Sequence, residues 1–311
     1  MIRRIAVANG RTFLLGPTTS ASWHETAYLL GNEAGNVLVA SDFEGSVAYA
    51  DAAELVRLGY GTIDREGIFS DARLAKAIFN WDATKEIEGL SDLLSPFRMR
   101  RGLDVGCGYG RLFVPMLANG FMLDGLDESG ALLSSLAREI DRSDCALFEG
   151  AMESFRSPGR YGFAYAAMNS MRYIETEVGV HQHLRSMAIN VEPGGLYAFQ
   201  ITIAPDPEIG YRRSWQFPWS GSAHEIQWTQ TAYCHVRQLI IETVTIRRIA
   251  DGRLVHSEKQ AQRFYSASYL RDLIALHSGD WGLTACFDSS FFPVTPSDHI
   301  AGNYWFVLRR L

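Results

Sequence analysis

The sequence predicts an α/β protein built on a doubly wound, mostly parallel sheet of seven strands with helices on both faces. Between residues 98 and 203, apolar strand-like runs alternate with helical patterns, which indicates right-handed crossovers and a parallel sheet. The run 161–168 is apolar on both faces, as expected for a strand covered on both sides. After residue 203 three runs alternate with period two, which predicts an antiparallel β insertion after the fifth strand.

The expected domain organisation follows from these changes of pattern. Residues 1–70 hold short strand-like runs at 11–15 and 37–40 between Gly, Asn and Ser, and we expect a partly β N-terminal extension there. It either covers an active site, mediates a dimer contact or is a structural appendage. The main domain is expected over 71–311, with a core at about 98–203, an insertion or lid at about 205–265 and a C-terminal helix and strand pair at 266–311.

The predicted elements begin with helical spacing from Ser70 to about residue 94, as one long or two shorter helices, with Trp81 expected in the core. Strands are predicted at 101–106, 121–127, 145–149, 161–168 and 196–203, and helices at 111–119, 129–140 and 177–191. The last of these helices is expected to end at Pro193-Gly194-Gly195.

Beyond the fifth strand, residues 205–222 are rich in Pro and Trp and predict a loop or lid. The three alternating runs follow at 225–234, 237–249 and 254–264, with a hairpin turn at Asp251-Gly252. A helix at 268–277 and strands at 283–288 and 303–308 are expected to complete the chain.

Charge and composition limit the function classes. The formal net charge of −6 argues against nucleic acid as a partner, because phosphate-binding faces carry a basic excess. The four cysteines stand far apart, so we expect no metal site, reduced thiols and a cytoplasmic location. The N-terminus lacks a signal-peptide pattern, and no run of about 18 apolar residues occurs, so no membrane partner is expected.

One stretch carries a binding motif: Leu103-Asp104-Val105-Gly106-Cys107-Gly108-Tyr109-Gly110-Arg111-Leu112. A strand, a glycine turn and a helix start in succession let backbone approach a ligand closely, at the carboxyl edge of the sheet. A dinucleotide fingerprint, Gly-x-Gly-x-x-Gly, fails because Arg111 stands where its third glycine would be, which argues against a nicotinamide-dependent oxidoreductase.

Asp104, Gly106, Gly108 and Gly110 match Asp-x-Gly-x-Gly-x-Gly in full, and this turn resembles motif I of the class I S-adenosylmethionine-dependent methyltransferases. The resemblance covers about 98–310 and implies S-adenosylmethionine as cofactor and S-adenosylhomocysteine as product. The glycine turn would face the methionine end of the cofactor, and Asp127 the ribose, since two carboxylate oxygens match a vicinal diol. Capping of the next helix is the alternative role for Asp127. The full implied set is Asp104, Gly106, Cys107, Gly108, Gly110, Arg111, Asp127, Glu128, Ala151, Met152, Met168 and Asn169.

The chain departs from the family pattern after the third strand. Where the family often has Gly-Asp-Met, with the Asp at the adenine amino group, this chain has Gly150-Ala151-Met152. The backbone N–H of Met152, or the side chain of Glu149 or Glu153, would have to serve the adenine instead. Glu192-Pro193-Gly194-Gly195 resembles the family's Lys-Pro-Gly-Gly turn.

The insertion after the fifth strand is similar to that of small-molecule methyltransferases. It implies methyl transfer, by in-line displacement, to a nitrogen or oxygen of an amine, an amino sugar or a natural-product intermediate. His224 is the candidate general base, and five residues are candidates for the acceptor pocket: Tyr173, Arg172, Tyr211, Trp215 and Trp228. A purely structural role is the alternative for each of them.

Two further expectations concern assembly and activity. We expect a homodimer that acts on a small-molecule acceptor. An inactive S-adenosylmethionine-binding scaffold or partner protein is the alternative function, because Ala151 replaces the adenine-contacting carboxylate.

Overall fold

The structure is a computed structural model, and it describes six short strands within residues 1–66 followed by residues 67–140, 144–234, 237–296 and 301–311. The six strands form three antiparallel pairs. They are β1 (Arg3–Ala6) with β2 (Thr12–Leu15), β3 (Tyr28–Gly31) with β4 (Val37–Ala40), and β5 (Asp42–Phe43) with β6 (Ser46–Val47). The predicted runs at 11–15 and 37–40 correspond to β2 and β4.

Two compact units are distinguished along the chain. The larger comprises Glu66–Asp206, Phe217–Ser222 and Arg263–Leu311, and the smaller includes Pro207–Gln216 and Ala223–Gln262. The domain boundaries expected at residues 70, 205 and 265 stay predictions.

The larger unit begins with two helices, α1 (Ala72–Ile78) and α2 (Thr84–Leu94), so the helical pattern before residue 94 folds as two shorter helices. Asp71 caps α1, because its carboxylate accepts hydrogen bonds from the backbone N–H of Arg73 and Leu74. Trp81 lies in the break between the helices and is 44% exposed, so the expectation that it belongs to the core was wrong.

Alternating strands and helices follow, as predicted. In chain order they are β7 (Arg101–Val105), α3 (Phe113–Ala118), β8 (Met122–Asp127), α4 (Gly130–Leu136), β9 (Leu147–Glu149), β10 (Tyr161–Ala166), α5 (Glu177–Asn190) and β11 (Val191–Ile203).

Strand β11 starts earlier than predicted. It includes Pro193-Gly194-Gly195, where we expected a turn that ends the helix. Its pairing with β10 shifts there, from Tyr161 opposite Val191 to Phe163 opposite Leu196, and Gly194 has φ +79°. The Pro-Gly-Gly sequence therefore forms an irregularity within the strand, with glycine at the position that needs a positive φ.

The insertion forms a four-stranded sheet in the order β12 (Arg212–Trp219), β13 (Ser222–Cys234), β14 (Leu239–Arg248) and β15 (Leu254–Arg263). The predicted hairpin at Asp251-Gly252 is confirmed by the hydrogen bond from Arg248 N to Arg253 O at 2.9 Å. The loop predicted over 205–222 was wrong for residues 212–219. β12 lies at the edge of the sheet, where a strand tolerates Pro218.

The chain closes with α6 (Ala267–Leu276), β16 (Trp281–Asp288) and β17 (Gly302–Arg310). The seven-stranded sheet has the order β16-β17-β11-β10-β7-β8-β9. Strands β7 to β11 pair in parallel, whereas β17 is antiparallel to both β11 and β16. The predicted mostly parallel seven-stranded sheet is confirmed, and the strand order reverses between β7 and β10.

Helices cover the sheet on both faces, as expected. One buried apolar cluster includes Met187 of α5 and Leu270 of α6, and the other includes Leu90 of α2, Met116 of α3 and Leu136 of α4. Within the described ranges no helix combines the length and apolar character needed to cross a lipid bilayer.

Candidate functional site

The glycine turn connects β7 to α3 at the carboxyl edge of the sheet, beside the point where the strand order reverses. The φ values of Gly106, Gly108 and Gly110 are +74°, +56° and +93°, a backbone conformation that residues with a Cβ atom rarely adopt. A Cβ atom at Gly106 would lie 2.6 Å from Ser170 Oγ, and one at Gly110 would lie 2.5 Å from Leu136 Cδ1. Glycine is therefore required by conformation at all three positions, and also by packing at the outer two.

Asp127 ends β8 and faces this turn. Its Oδ2 accepts a hydrogen bond from the backbone N–H of Gly108 at 2.8 Å, and its Oδ1 accepts one from Ser129 N at 2.8 Å. The backbone N–H of Gly150, after β9, donates to the Asp127 carbonyl at 3.0 Å. The turns that follow three neighbouring strands thus meet at this one residue.

Ser129 caps α4, since its Oγ accepts the hydrogen bond from Leu132 N. Burial raises the pKa of Asp127, and the N–H groups of Ser129 and Gly108 oppose that rise. A carboxylate has about four acceptor positions, so these backbone donors leave capacity for a ligand hydroxyl. The space before Gly108 is also open, because a Cβ there would have only Leu132 Cδ1 at 3.7 Å and Asp127 Oδ2 at 4.0 Å nearby.

Asp104 stands on β7 at the head of the motif and is only 3% exposed. Its Oδ2 accepts a hydrogen bond from the Tyr165 hydroxyl at 2.9 Å. Burial raises the pKa of Asp104 to about 7, helped by the nearby charge of Asp127, while Tyr165 and Arg111 oppose the rise. A cationic ligand beside this carboxyl group would favour its ionised form.

Two residues of the expected cofactor set point into the protein. The Cys107 side chain belongs to the apolar cluster beneath the turn, and burial raises its thiol pKa well above the ordinary value. The Arg111 guanidinium forms an ion pair with Glu86 of α2, and its Nε lies 3.0 Å from Met168 Sδ. The place of both residues in the cofactor set stays a prediction.

Met168 and Asn169, which follow β10, have positive φ values of 51° and 62°. Two hydrogen bonds to β11 hold them: Met168 N donates to Gln200 Oε1 at 2.8 Å, and Thr202 N donates to Asn169 Oδ1 at 2.5 Å. Non-glycine residues with this backbone conformation are strained and are found preferentially at functional sites. The predicted cofactor-lining segment is therefore a fixed and strained turn.

The turn after β9 includes Ala151 and Met152, at the expected adenine position. The Met152 carbonyl accepts a hydrogen bond from His183 Nδ1 at 3.2 Å, and His183 Nε2 accepts one from the Tyr197 hydroxyl at 2.6 Å. These partners fix the tautomer with the proton on Nδ1. Burial lowers the pKa of His183 to about 4, so the ring is neutral near pH 7. Glu128, also expected at the cofactor, is exposed.

Two candidate acceptor residues follow in the larger unit. Tyr173 is partly exposed and packs edge-on against Phe69, with ring centroids 5.7 Å apart. Arg172 is buried, and its Nε donates to the carbonyl of Arg263 at 3.1 Å. This bond anchors the Arg172 side chain, and its role as an acceptor contact stays a prediction.

The other candidates lie in the four-stranded sheet or directly before it. Trp215 and Trp228 stack with ring centroids 6.2 Å apart, and the Trp228 indole N–H donates to Glu242. Tyr211 precedes β12, and its backbone carbonyl accepts a hydrogen bond from Gln230 N at 2.9 Å. His224, the candidate base, is buried in β13 opposite Arg248 of β14. The structure thus gathers the two indoles and a carboxylate.

Three residues of the site were missed by the sequence reasoning: Tyr165, Gln200 and Glu86. Gln200 offered a signal, because it is the one amide in the otherwise apolar run 196–203. Tyr165 offered a weaker one, since a buried tyrosine hydroxyl needs a partner. Glu86 looks like an ordinary charged helical residue, and nothing in the sequence distinguishes it. In the part of the chain that the structure describes, no group of three or more His, Cys, Asp or Glu side chains is arranged to hold a metal ion.

Comparisons with known proteins agree on the fold. No protein-family model matches the chain. The CcbJ methyltransferase from Streptomyces caelestis is 15% identical with a TM-score of 0.63, covering 79% of this chain and 98% of its own. CalS10, an amino pentose methyltransferase from Micromonospora echinaspora, is 17% identical with a TM-score of 0.59 and coverages of 85% and 98%. The sugar N-methyltransferase KedS8 from Streptoalloteichus sp. ATCC 53650 is 16% identical with a TM-score of 0.58 and coverages of 87% and 99%.

A curated relative matches a smaller part of the chain. It is the Bacillus subtilis (strain 168) protein YqeM, named as a candidate methyltransferase, which is 25% identical over 103 residues. The match covers 32% of this chain, and the chain spans 42% of the length of that relative. The chain has the fold of the S-adenosylmethionine-dependent methyltransferases, so the resemblance drawn from the glycine turn is confirmed at the level of the fold.

Proposed function

We propose that this protein is an S-adenosylmethionine-dependent methyltransferase that methylates a nitrogen or oxygen of a small-molecule acceptor and releases S-adenosylhomocysteine. The observation that carries the proposal is the contact between Asp127 Oδ2 and the backbone N–H of Gly108 at 2.8 Å. It brings the glycine turn and the carboxylate of the second core strand together at the carboxyl edge of the sheet, where α/β folds bind their ligands.

The residues at this edge fit the cofactor. The open space before Gly108 and the remaining acceptor capacity of the Asp127 carboxylate suit a vicinal diol such as that of the ribose. Asp104, whose pKa is raised to about 7, would ionise beside the cationic methionine end. The strained turn at Met168 and Asn169 forms the neighbouring wall, since Ser170 packs against Gly106.

When bound, S-adenosylmethionine supplies an electrophilic methyl group on a sulfonium. The chain has to hold the acceptor atom in line with that group and exclude water, and such alignment is worth up to roughly 7–11 kcal/mol in intramolecular reactions. For an acceptor that must lose a proton we keep His224 as the candidate base. His224→Asn should then lower turnover of such an acceptor.

The acceptor class follows from the small-molecule resemblance of the insertion and from the descriptions of two proteins with the same fold. Trp215 and Trp228, whose rings stack on each other, stay candidate acceptor contacts. CalS10 is described as an amino pentose methyltransferase and KedS8 as a sugar N-methyltransferase, and both share this fold. We therefore favour an amine, an amino sugar or a similar natural-product intermediate, with Tyr211, Arg172 and Tyr173 as further candidate contacts.

Isothermal titration calorimetry with S-adenosylmethionine and, separately, NADH tests the proposal. We expect one saturable site for S-adenosylmethionine and none for NADH. Asp127→Ala should weaken binding by about 1–3 kcal/mol, or roughly 5- to 150-fold, through the lost charge-assisted hydrogen bonds. Asp272→Ala, which removes an exposed carboxylate on α6, is the matched control.

The outcomes separate the alternatives. A wild-type protein that binds no S-adenosylmethionine would contradict the proposal, and an Asp127→Ala variant with unchanged affinity would contradict the ribose role. Binding without S-adenosylhomocysteine release across amine and hydroxyl acceptors would favour the scaffold function, for which Ala151 is the supporting observation. The homodimer and the cytoplasmic location stay predictions, and sedimentation equilibrium would test the first of them.

A further inference from the structure

Gln200 carries a buried amide in the middle of β11 and is 4% exposed. Its Oε1 accepts the hydrogen bond from Met168 N at 2.8 Å, and its Nε2 lies 3.3 Å from Glu86 Oε1, to which it donates. Burying an amide is costly unless its polar atoms have partners, so these two bonds account for a glutamine in an apolar strand.

The same contacts continue through Glu86 and Arg111. The other carboxylate oxygen of Glu86 holds the guanidinium of Arg111, whose Nε lies 3.0 Å from Met168 Sδ. The Arg111 and Glu86 side chains are only 10% and 16% exposed, so the contacts form in a medium of low dielectric constant. A closed ring of contacts therefore joins β11, α2, the end of the glycine turn and the turn after β10.

This ring fixes a strained part of the site. Met168 and Asn169 keep positive φ values of 51° and 62°, and Ser170 packs so closely on the glycine turn that a Cβ at Gly106 would lie 2.6 Å from its Oγ. Such strain persists only where the surroundings hold the backbone in place. The bond from Met168 N to Gln200 is one of the two hydrogen bonds described above that join this turn to β11.

We propose that Gln200 is a positioning residue for cofactor binding, and that its neutral amide is the chemistry this place requires. The side chain accepts from Met168 N–H and donates to Glu86 at the same time, which an ionised carboxylate cannot do. An ionised glutamate here would also repel the carboxylate of Glu86, which it would face. The other charged group in the ring is the Arg111 guanidinium, which pairs with Glu86. The inference rests on the proposed function.

Gln200→Glu tests the need for a neutral donor. S-Adenosylmethionine affinity is measured by calorimetry from pH 5.5 to 8.5, and the ratio of wild-type to variant affinity is compared at each pH. We expect the variant to bind at least about tenfold more weakly at pH 8.5 and to approach the wild type at pH 5.5. At low pH the protonated carboxyl group of the variant side chain again accepts a hydrogen bond from the Met168 backbone N–H and donates one to the Glu86 carboxylate. Gln182→Glu, exposed on α5, is the matched control and should leave the ratio near one throughout.

Gln200→Leu provides a test that needs no ligand. Hydrogen exchange at the Met168 amide should become at least about tenfold faster, while amides in the centre of β10 keep their protection. A constant affinity ratio for Gln200→Glu across the pH range, or an unchanged Met168 exchange rate in Gln200→Leu, would overturn the proposal. If wild-type protein bound no S-adenosylmethionine, the proposed function would fail, and the exchange rate would still decide whether Gln200 holds the turn.

Discussion

The buried carboxyl group of Asp104 makes a prediction about stability that can be tested without a substrate. Asp104→Asn keeps the shape of the side chain and an oxygen that accepts the Tyr165 hydroxyl, while it removes the ionisation. The wild-type residue is 3% exposed, and burial raises its pKa from 3.8 to about 7. The variant should therefore gain stability relative to the wild type as the pH rises.

The size of this effect follows from proton linkage. In the unfolded chain Asp104 loses its proton near pH 3.8, whereas in the folded chain it keeps the proton until about pH 7. The folded state binds more protons between these values, so the wild type loses stability as the pH rises through this window. Each pKa unit corresponds to about 1.4 kcal/mol, which gives a total of about 4 kcal/mol. The stability difference between variant and wild type should widen by roughly 2–3 kcal/mol from pH 5 to pH 8.

Urea unfolding of both proteins at pH 5 and pH 8 measures this change. Any constant effect of the new amide cancels, because only the change of the difference with pH is used. Asp272→Asn, on the exposed face of α6, shows whether the loss of any carboxylate gives the same result. A difference between Asp104→Asn and the wild type that is equal at the two pH values would refute the reasoning.

Two further predictions concern the turns around the site. Gly110→Ala should lower the free energy of unfolding by more than about 2 kcal/mol, because its Cβ would lie 2.5 Å from Leu136 Cδ1. Gly120→Ala, also at positive φ but with nothing within 4 Å of the new Cβ, should lower it by only about 1 kcal/mol. Equal losses of stability in thermal unfolding would contradict the packing argument. His183→Phe should lower stability at pH 7 by about 2–4 kcal/mol, because it leaves the Tyr197 hydroxyl and the Met152 carbonyl without this partner. The pKa of His183 is about 4 in the folded protein and 6.5 in the unfolded chain. The stability that the neutral ring contributes is therefore fully present above pH 6.5 and is lost as the pH falls toward 4. Urea titrations at pH 7 and pH 5 should therefore show the wild type losing about 2 kcal/mol more than the variant, and parallel losses would refute the assignment.

The sheet and its ligand-binding edge were predictable because their signals are local. Alternating apolar runs predicted β7 to β11, and the glycines of the turn reflect backbone conformations that the structure contains. The Asp104 motif and the position of Asp127 then indicated the site, and the structure places Asp127 against Gly108.

The errors arose where tertiary context decides. Trp215, Phe217 and Trp219 alternate as in a strand, but Pro218 suggested a loop. Pro218 is accommodated because β12 lies at the edge of its sheet, a position that the sequence does not reveal. Pro193 likewise suggested a turn, although β11 absorbs it as an irregularity.

Side-chain partners were harder still to predict. The ion pair of Arg111 with Glu86 was not predicted, because Glu86 belongs to a helix well before the motif. Long-range partners of this kind leave no periodic pattern, and a buried polar residue such as Gln200 indicates only that some partner exists.

A crystal structure of the protein with S-adenosylhomocysteine would show directly whether the glycine turn and Asp127 bind the cofactor. We expect density at the carboxyl edge between β7 and β8, with both ribose hydroxyls within hydrogen-bond distance of the Asp127 carboxylate and the amino-acid end beside the glycine turn. A ligand bound elsewhere, or a ribose that makes no contact with Asp127, would contradict it.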